Sequence, residues 1–275
     1  MPGLMDGKRG LIMGVANDHS IAWGIAKMLS EHGAKLAFTY QGDALLKRVK
    51  PLAESVGSLT VMPCDVEDIA SVDAVFAEIK KQWGTMDFLV HAVAFSDKNE
   101  LKGRYADSTR ENFIRTMVIS CYAFTEAAAR AAALMPNGGS MITLTYNGGD
   151  RAMPNYNVMG VAKAGLEASV RYLAVDYGPQ KIRVNAISAG PIRTLAGAGI
   201  NDARYMFAFQ QKYSPLGRGV TLEELGGAGL YLLSDLSNGV TGEIHFVDSG
   251  YNVIAMPQPQ ALKDAHGAVD GEGGI

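Results

Sequence analysis

Residues 9–40 read RGLIMGVANDHSIAWGIAKMLSEHGAKLAFTY, a stretch that combines a strand, a turn, a helix and a second strand. It begins with a short apolar run that ends in Gly14. Apolar side chains then recur at the spacing of one helix face: Ile21, Ile25, Met28 and Leu29. Gly33 ends that run, and the apolar segment KLAFTY follows. The stretch therefore predicts one strand–helix–strand unit.

The same alternation continues to residue 256. Further strands are predicted for SLTVMPCDV, MDFLVHAVA, GSMITLTY, IRVNAISAG and GEIHFVDSG. Helices are predicted for IASVDAVFAEIKKQWG, a stretch around 109–135, residues 157–177 and TLEELGGAGLYLLSD. Alternating strands and helices indicate a parallel sheet with helices on both faces. We therefore predict a single α/β domain over residues 1–256 with a doubly wound, Rossmann-type fold.

Two segments fall outside this alternation. Residues 194–218 interrupt the last strand–helix unit with two predicted short helices. Because ligands of open parallel sheets bind beyond the carboxyl ends of the strands, we expect this segment to cover the site as a substrate lid. Residues 257–275 are rich in Gly and poor in apolar side chains, which predicts a loose tail. Packing of the tail on a neighbouring subunit is the alternative.

The composition narrows the classes of function. The chain has 275 residues, of which 48% are hydrophobic and 19% charged, and its net charge is −3. Without a basic excess, nucleic acid is not an expected partner. No apolar run resembles a signal peptide or approaches the roughly 18–20 residues of a membrane span. Cys64 and Cys121 lack metal-ligand spacing, which indicates reduced core residues of a cytoplasmic protein without a metal site.

The first strand-to-helix turn, from Gly14 to Gly24, reads GVANDHSIAWG. Because it opens a helix directly after the first strand, its backbone amides and the helix dipole suit a pyrophosphate. The turn departs from the G-x-G-x-x-G pattern and has Ser20 where a middle glycine is common. We expect the Ser20 hydroxyl to bond a phosphate oxygen directly, the alternative being a tight turn without a ligand.

Three motifs occur together: Gly14-x5-Ser20-x-Ala22-x-Gly24, Tyr156-x6-Lys163, and the run NAISAGPIRTLA from Asn185 to Ala196. In this combination, residues 5–256 resemble the bacterial enoyl-acyl-carrier-protein reductases, a divergent group of the short-chain dehydrogenase/reductase superfamily. The resemblance implies a homotetramer that uses NADH to reduce the trans-2 double bond of enoyl thioesters on acyl carrier protein during fatty acid elongation. Where the superfamily commonly has NNAG, this chain has HAVAFSD, which suits the enoyl reductases.

The resemblance also implies the residues of the site. It assigns the pyrophosphate region to Gly14, Ser20 and Ile21, the adenosine ribose to Gln41, and the adenine to Asp65 and Val66. It places Val93 beside the second ribose, and the nicotinamide and phosphates against Ile192, Arg193, Thr194, Leu195 and Ala196. The substrate contacts that it implies are Ser96, Tyr146 and Tyr156.

Charge refines the implied partners. Gln41 is neutral and no arginine directly follows it to hold a 2′-phosphate, so we predict a preference for NADH over NADPH. The carrier protein implied by the resemblance is acidic and would meet basic residues near the lid. The candidates are Arg204, Lys212 and Arg218.

Tyr156 and Lys163 are seven residues apart, whereas many nicotinamide-dependent reductases separate such a pair by four. At about 100° and 1.5 Å per residue, Lys163 returns to within about 20° of Tyr156 on the helix and lies about 10.5 Å farther along it. The longer spacing lets the phenol reach farther over the cofactor while the lysine holds ribose hydroxyls. We also expect the nearby ammonium to give the phenol phenolate character.

The chemistry of conjugate reduction assigns roles to these side chains. Hydride adds to the β-carbon and negative charge appears on the thioester oxygen, which a positioned phenol stabilises. We predict Tyr156 as that donor, Lys163 as its catalytic partner at the cofactor, and Tyr146 as a supporting residue near the acyl chain. The lid residues that form either an acyl-chain wall or ordinary helix packing are Tyr205, Met206, Phe207 and Phe209.

Two other functions stay open from the residues alone. A ketone or alcohol oxidoreductase of the same superfamily would use a hydroxyl on the preceding strand, and Thr143 occupies that position. The second alternative is dinucleotide binding without catalysis. The intact pair of Tyr156 and Lys163 argues against this alternative. Turnover of a crotonyl thioester, compared with an acetoacetyl thioester, separates these functions.

Overall fold

A parallel sheet of seven strands organises the described residues, in the order β3-β2-β1-β4-β5-β6-β7. The computed structural model describes residues 3–192, 194 and 203–256, with the backbone alone at residues 203 and 204. The strands are β1 (Arg9–Met13), β2 (Lys35–Tyr40), β3 (Val61–Pro63), β4 (Phe88–His91), β5 (Gly139–Thr145), β6 (Ile182–Ala189) and β7 (Ile244–Val247). Each predicted strand is present, and the predicted doubly wound fold is confirmed.

Helices cover both faces of this sheet. They are α1 (Ile21–Glu31), α2 (Asp43–Ser55), α3 (Ile69–Trp83), α4 (Arg110–Met117), α5 (Ala123–Ala132), α6 (Asn157–Tyr177), α7 (Ala203–Tyr213) and α8 (Leu222–Leu233). Helices α3, α5 and α6 pack on the face that carries Leu11, whereas α1, α2 and α8 pack on the face that carries Ile12. Because successive strand residues point to opposite faces, a continuous apolar run such as β1 supplies both cores.

Helix α2 is missing from the predicted alternation. Val49 and Ala53 are its buried residues, and Pro51 lies inside it. Leu45, Val49 and Leu52 recur at helical spacing and pack in one core, but an internal proline is a signal against a helix. The helix packs against β2 and β3, and this tertiary contact outweighs the effect of the proline.

The predicted helical stretch around 109–135 is interrupted by a change of winding. A π-helical segment, Val118–Tyr122, joins α4 to α5. Such segments are rare and are often found at functional sites. Helix α6, by contrast, has the predicted bounds, because its apolar face is long and regular.

The strand order reverses between β1 and β4, and the carboxyl ends of these strands meet there. Gly14 follows β1 with φ of 97°, and a Cβ at this position would lie 2.2 Å from the carbonyl oxygen of Ala92. Both the backbone angle and this close approach require glycine. In open parallel sheets a ligand crevice forms at such a reversal.

The described part of the predicted lid contains the single helix α7. Residues 193 and 195–202 lie outside the described residues, as does the predicted tail, residues 257–275. Within the described ranges, no helix combines the length and apolar character that crossing a membrane requires.

Candidate active site

A cavity of about 440 Å3 lies at the carboxyl ends of β4, β5 and β6, beside the start of α1. Several residues predicted for the site line it together: Ile21, Ser96, Tyr146, Tyr156, Lys163, Ile192 and Thr194. These positions are widely separated in the sequence, and the fold gathers them around one space. Arg193, Leu195 and Ala196 lie outside the described residues, and their cofactor contacts stay predictions.

The loop between β1 and α1 is closed by Ser20. Its Oγ accepts hydrogen bonds from the backbone amides of Ala16 at 3.0 Å and Asn17 at 3.1 Å, and it donates to Asn17 Oδ1 at 3.3 Å. The expected direct bond to phosphate requires only the Ser20 proton to leave Asn17 Oδ1, since the two bonds that Oγ accepts can be kept. Ser20 precedes α1 without capping it through its side chain, and the first turn of α1 holds no acidic residue.

The residues predicted for the adenosine half lie along neighbouring strand ends. Gln41 is exposed directly after β2, and Asp65 and Val66 follow β3. Asp65 shapes its turn by accepting a hydrogen bond at Oδ1 from the amide of Glu67 at 3.0 Å. Val93 is half-buried just beyond β4. These residues therefore lie at the strand ends where the contacts to adenine and ribose are predicted.

Lys163 is buried in the second turn of α6, with 7% of its surface exposed. Its Nζ donates a hydrogen bond to the carbonyl oxygen of Leu144 at 2.7 Å. Burial lowers the pKa of Lys163 to about 8, which leaves the amine protonated at neutral pH. An ammonium has three hydrogens, so two remain for ligands in the cavity.

Tyr156 directly precedes α6 and is 7% exposed. Burial raises the pKa of its phenol, and the neighbouring Tyr146 and Glu167 raise it further. The expected phenolate character is therefore wrong, because burial disfavours the charged form of the phenol. The side chain is a neutral phenol that can donate a hydrogen bond into the cavity.

Tyr146 packs against Tyr156 and contacts α7. The two rings meet edge to face, with centroids 5.1 Å apart and an interplanar angle of 70°. The side-chain amide of Gln210, which is buried in α7, donates a hydrogen bond to the Tyr146 hydroxyl. Burial raises the pKa of Tyr146 to about 12. Both tyrosines are thus neutral donors at one wall of the cavity.

The two threonines at the end of β5 have different partners. Thr143 is 1% exposed, and its hydroxyl donates to the carbonyl oxygen of His91 at 3.0 Å. Thr145 lines the cavity, and its hydroxyl donates to Glu167 Oε1 at 2.6 Å. The hydroxyl considered for polarising a ketone is therefore directed at a neighbouring strand. Both threonine protons are already donated within the protein.

His91 lies beneath this site as a neutral imidazole. It is 2% exposed, and neither ring nitrogen has a hydrogen-bond partner among the described residues. Burial and, to a smaller extent, the Lys163 charge lower its pKa to about 3. Its ring centroid lies 5.5 Å from that of Phe124. His91 therefore adds no charge to the site, and Lys163 supplies a buried cation at the cavity wall.

The candidate site contains a predicted nucleotide-binding turn, a Tyr156–Lys163 pair and an apolar cavity between them. A family profile described as enoyl-(acyl carrier protein) reductase matches residues 14–252. The chain belongs to the enoyl-acyl-carrier-protein reductase family. The predicted family is confirmed.

Close relatives of this family cover nearly the whole chain. The NADH-dependent enoyl-acyl-carrier-protein reductase 2 of Rhizobium meliloti is 72% identical over 96% of this chain and 99% of its own. FabI of Candidatus Liberibacter asiaticus, known from a crystal structure, is 61% identical with a TM-score of 0.92, over 94% of this chain and 100% of that one. The Anaplasma phagocytophilum enoyl reductase, crystallised with NAD, is 57% identical with a TM-score of 0.91, over 94% and 98%.

The lid residues of this family member divide between the two roles expected for them. Met206 and Phe207 line the cavity. Tyr205 is 75% exposed, and the Phe209 ring packs on Tyr213 with centroids 4.4 Å apart. One side of α7 therefore faces the cavity. On its other sides, side chains of the helix pack on one another or are exposed to solvent.

Three polar residues of the site were not singled out from the sequence: Thr145, Glu167 and Gln210. Strand alternation identifies Thr145, since it follows Thr143 by two positions at the end of β5. Helical spacing identifies Glu167, which is one turn beyond Lys163. Gln210 carries no comparable signal, because only the docking of α7 brings it to Tyr146. Among the described residues, no group of three His, Cys, Asp or Glu side chains is arranged to hold a metal ion.

Proposed function

We propose that this protein reduces the trans-2 double bond of enoyl thioesters carried by acyl carrier protein, with NADH as the reductant. This is the last reductive step of the fatty acid elongation cycle. The observation that carries the proposal is the placement of a neutral Tyr156 phenol and a protonated Lys163 on one cavity wall. The family match and the relatives named as NADH-dependent enoyl reductases support the same reaction.

The residues around the first turn fit a dinucleotide. The first amides of α1 have no side-chain cap and no acidic neighbour in the first turn, so they can bind an anion such as a pyrophosphate. NADH supplies the hydride that adds to the β-carbon. We assign its binding to Gly14, Ser20, Ile21, Gln41, Asp65, Val66, Val93, Lys163 and Ile192–Ala196. Lys163 would hold ribose hydroxyls with the hydrogens that Leu144 does not accept.

Tyr156 performs the electrostatic part of the reaction. As hydride arrives at the β-carbon, negative charge develops on the thioester oxygen, and a phenol proton aimed at that oxygen stabilises it. A raised phenol pKa keeps this proton on Tyr156 until the charge appears. Tyr146 holds the Tyr156 ring from the side and contributes the wall beside the acyl chain. Protonation of the α-carbon completes the reduction.

A parallel assay separates this function from its alternatives. NADH oxidation is followed by its near-ultraviolet absorbance with crotonyl-CoA and, separately, with acetoacetyl-CoA. We expect turnover of crotonyl-CoA and none of acetoacetyl-CoA, since the Thr143 hydroxyl is donated to His91 and not to the cavity. Faster turnover of acetoacetyl-CoA would identify a ketone reductase. Absence of turnover with both would favour the silent dinucleotide-binding protein.

The carrier-protein surface and the assembly extend this proposal. We infer a cytoplasmic homotetramer, and the exposed Tyr172 and Val175 on α6 provide an apolar surface for subunit contact. Of the basic candidates, Lys212 lies over the Tyr213 ring and Arg218 forms a two-pronged ion pair with Glu224. Lys212 is thus the better candidate for an acidic carrier protein. The Arg204 side chain lies outside the described residues.

A further inference from the structure

Three buried polar side chains connect α4 and the π-helical segment to the cavity wall. Asn112, Thr116 and Ser120 are 6%, 0% and 1% exposed, and we call them the polar ladder. They recur every four residues, so they share one side of the helical stretch. They face residues 95–97, the segment that follows β4 and that we call the wall segment. Its members Phe95 and Ser96 line the cavity.

Each member of the ladder bonds the wall segment. The Ser120 hydroxyl accepts a hydrogen bond from the Phe95 amide at 2.9 Å and donates one to the Phe95 carbonyl oxygen at 2.9 Å. Asn112 Oδ1 accepts from the amide of Asp97 at 3.0 Å. Buried polar groups are tolerated when they are bonded, and these bonds hold the wall segment from the protein interior.

The hydroxyl between these anchor points belongs to Ser96. Its Oγ accepts hydrogen bonds from Thr116 Oγ1 at 2.9 Å and from Asn112 Nδ2 at 3.2 Å. A serine hydroxyl has two acceptor positions and one proton, so both acceptor positions are filled. While Thr116 donates to Ser96, the next protein acceptor for the Ser96 proton in this cluster is Asn112 Oδ1, which is 3.4 Å away and already accepts from the amide of Asp97. Such a distance leaves a weak bond, so the proton can turn toward the cavity.

We propose that the polar ladder makes Ser96 a hydrogen-bond donor to an amide carbonyl oxygen of the arm that carries the acyl group. The thioester oxygen is stabilised by Tyr156, and the acyl chain has no acceptor. The carbonyl acceptors nearest to the thioester in an acyl carrier or coenzyme A substrate are the amide carbonyls of its thiol arm. Ser96 binds the substrate, and Asn112, Thr116 and Ser120 are positioning residues. This inference rests on the proposed function.

The test compares a substrate that has arm amides with one that lacks them. The substrates are crotonyl-CoA and S-ethyl thiocrotonate, assayed with the full-length enzyme and NADH. For Ser96→Ala we expect the KM for crotonyl-CoA to rise about three- to tenfold, the range for one neutral hydrogen bond. The KM for S-ethyl thiocrotonate, kcat and the NADH dissociation constant should stay within about twofold.

The positioning role is tested at Thr116. Thr116→Val removes the hydroxyl and keeps the shape, so it should reproduce the Ser96→Ala effect, whereas Thr116→Ser should restore the wild-type KM. Combined with Ser96→Ala, Thr116→Val should add nothing further, because both act through one bond. Ser140→Ala is the matched control, since its buried hydroxyl donates to the Leu232 carbonyl oxygen at 2.8 Å far from the wall segment. It should lower thermal stability and leave KM unchanged.

Several results would overturn the inference. These are an equal KM rise for both thioesters, additive effects of Ser96→Ala and Thr116→Val, or a KM rise in Ser140→Ala as large as in Thr116→Val. Failure of the wild type to oxidise NADH with crotonyl-CoA would instead contradict the proposed function. Calorimetric titration with butyryl-CoA then decides the inference. Weaker binding by Ser96→Ala than by the wild type supports it. Equal binding by the two proteins, or no binding by the wild type, contradicts it.

Discussion

Burial shifts the pKa values of Tyr156 and Lys163 in opposite directions. A poorly solvated environment disfavours the charged form of each group, which is phenolate for tyrosine and ammonium for lysine. The pKa of Tyr156 is therefore raised, and that of Lys163 is lowered to about 8. One side chain retains its proton firmly, and the other loses its proton just above neutral pH. This difference allows separate predictions for the two residues.

Tyr156→Phe should reduce kcat and leave cofactor binding intact. The enolate charge that Tyr156 stabilises does not exist in the ground state. Removing the phenol hydroxyl therefore raises the energy of the transition state and leaves that of the ground state unchanged. The expected decrease in kcat corresponds to roughly 2–4 kcal/mol, with the NADH dissociation constant within a few-fold of wild type. Single-turnover rates and NADH titrations provide the measurement.

Lys163→Ala is the matched comparison for this variant. It should weaken NADH binding strongly, because the ammonium is expected to hold ribose hydroxyls. If Tyr156→Phe abolished NADH binding while Lys163→Ala bound normally, the two roles would be reversed.

The pH profile should report the Lys163 amine. With a pKa of about 8, the amine is charged below that pH and neutral above it. The kcat/KM for NADH, which reports free-enzyme groups, should therefore fall as pH rises through about 8. Lys163→Met should have a low and flat profile over the same range. Persistence of the alkaline fall in Lys163→Met would assign it to another group.

At the scale of elements, α1 and α8 approach closely through glycines. A Cβ at Gly226 would lie 2.7 Å from the carbonyl oxygen of Gly24, and a Cβ at Gly24 would lie 2.7 Å from that of Leu222. These contacts hold α1 in place, and the N-terminus of α1 is the proposed pyrophosphate site. The capping box of Thr221 and Glu224 defines the start of α8 beside it.

Two adjacent glycines of α8 provide a test of this packing. Gly226→Ala should lower the free energy of unfolding by about 1–3 kcal/mol, because its methyl group meets backbone atoms that cannot move aside easily. Gly227→Ala is the control, since nothing lies within 4 Å of its added Cβ. It should be neutral or stabilising by up to about 1 kcal/mol, the difference in helix propensity. Urea unfolding measures both, and equal losses would contradict the close contact.

The start of α2 bears on the choice of cofactor. Gln41 is followed by Gly42 and by Asp43 in the first turn of α2, so a carboxylate lies next to the expected ribose position. A 2′-phosphate would meet this negative charge, and we expect a higher kcat/KM for NADH than for NADPH. Gln41→Arg combined with Asp43→Asn should narrow the difference. Comparable kcat/KM values for the two cofactors in the wild type would contradict the prediction.

At the scale of the whole molecule, the described residues between 3 and 256 form a seven-stranded sheet with an apolar core on each face. Both apolar clusters and all strand pairs described above involve residues before 257. A chain ending at Met256 should therefore have the same mass in solution as the assembly of the full chain and a kcat/KM within about twofold of it. Light scattering after gel filtration and the crotonyl-CoA assay measure these properties. A loss of mass or activity would favour a tail that packs on a neighbouring subunit.

The strand–helix alternation and the reactive residue types could be predicted because they depend on local patterns. The apolar runs predicted the strands, and the regular face of α6 predicted residues 157–177. The motifs identified the family and predicted Tyr156 and Lys163 as residues of the site. Helix α2 was not predicted although its apolar side chains recur at helical spacing, and Pro51 inside it is a local signal against a helix.

The sequence by itself determined the doubly wound fold, the family and the side chains available at the site. Tertiary structure alone decided what those side chains do. The Thr143 hydroxyl donates to the His91 carbonyl oxygen, the Ser96 hydroxyl accepts from Thr116, and α7 brings Gln210 to Tyr146. The Tyr156 phenol keeps its proton because distant segments together exclude water from it. Hydrogen-bond direction and desolvation depend on residues far apart in the chain, so no local pattern encodes them.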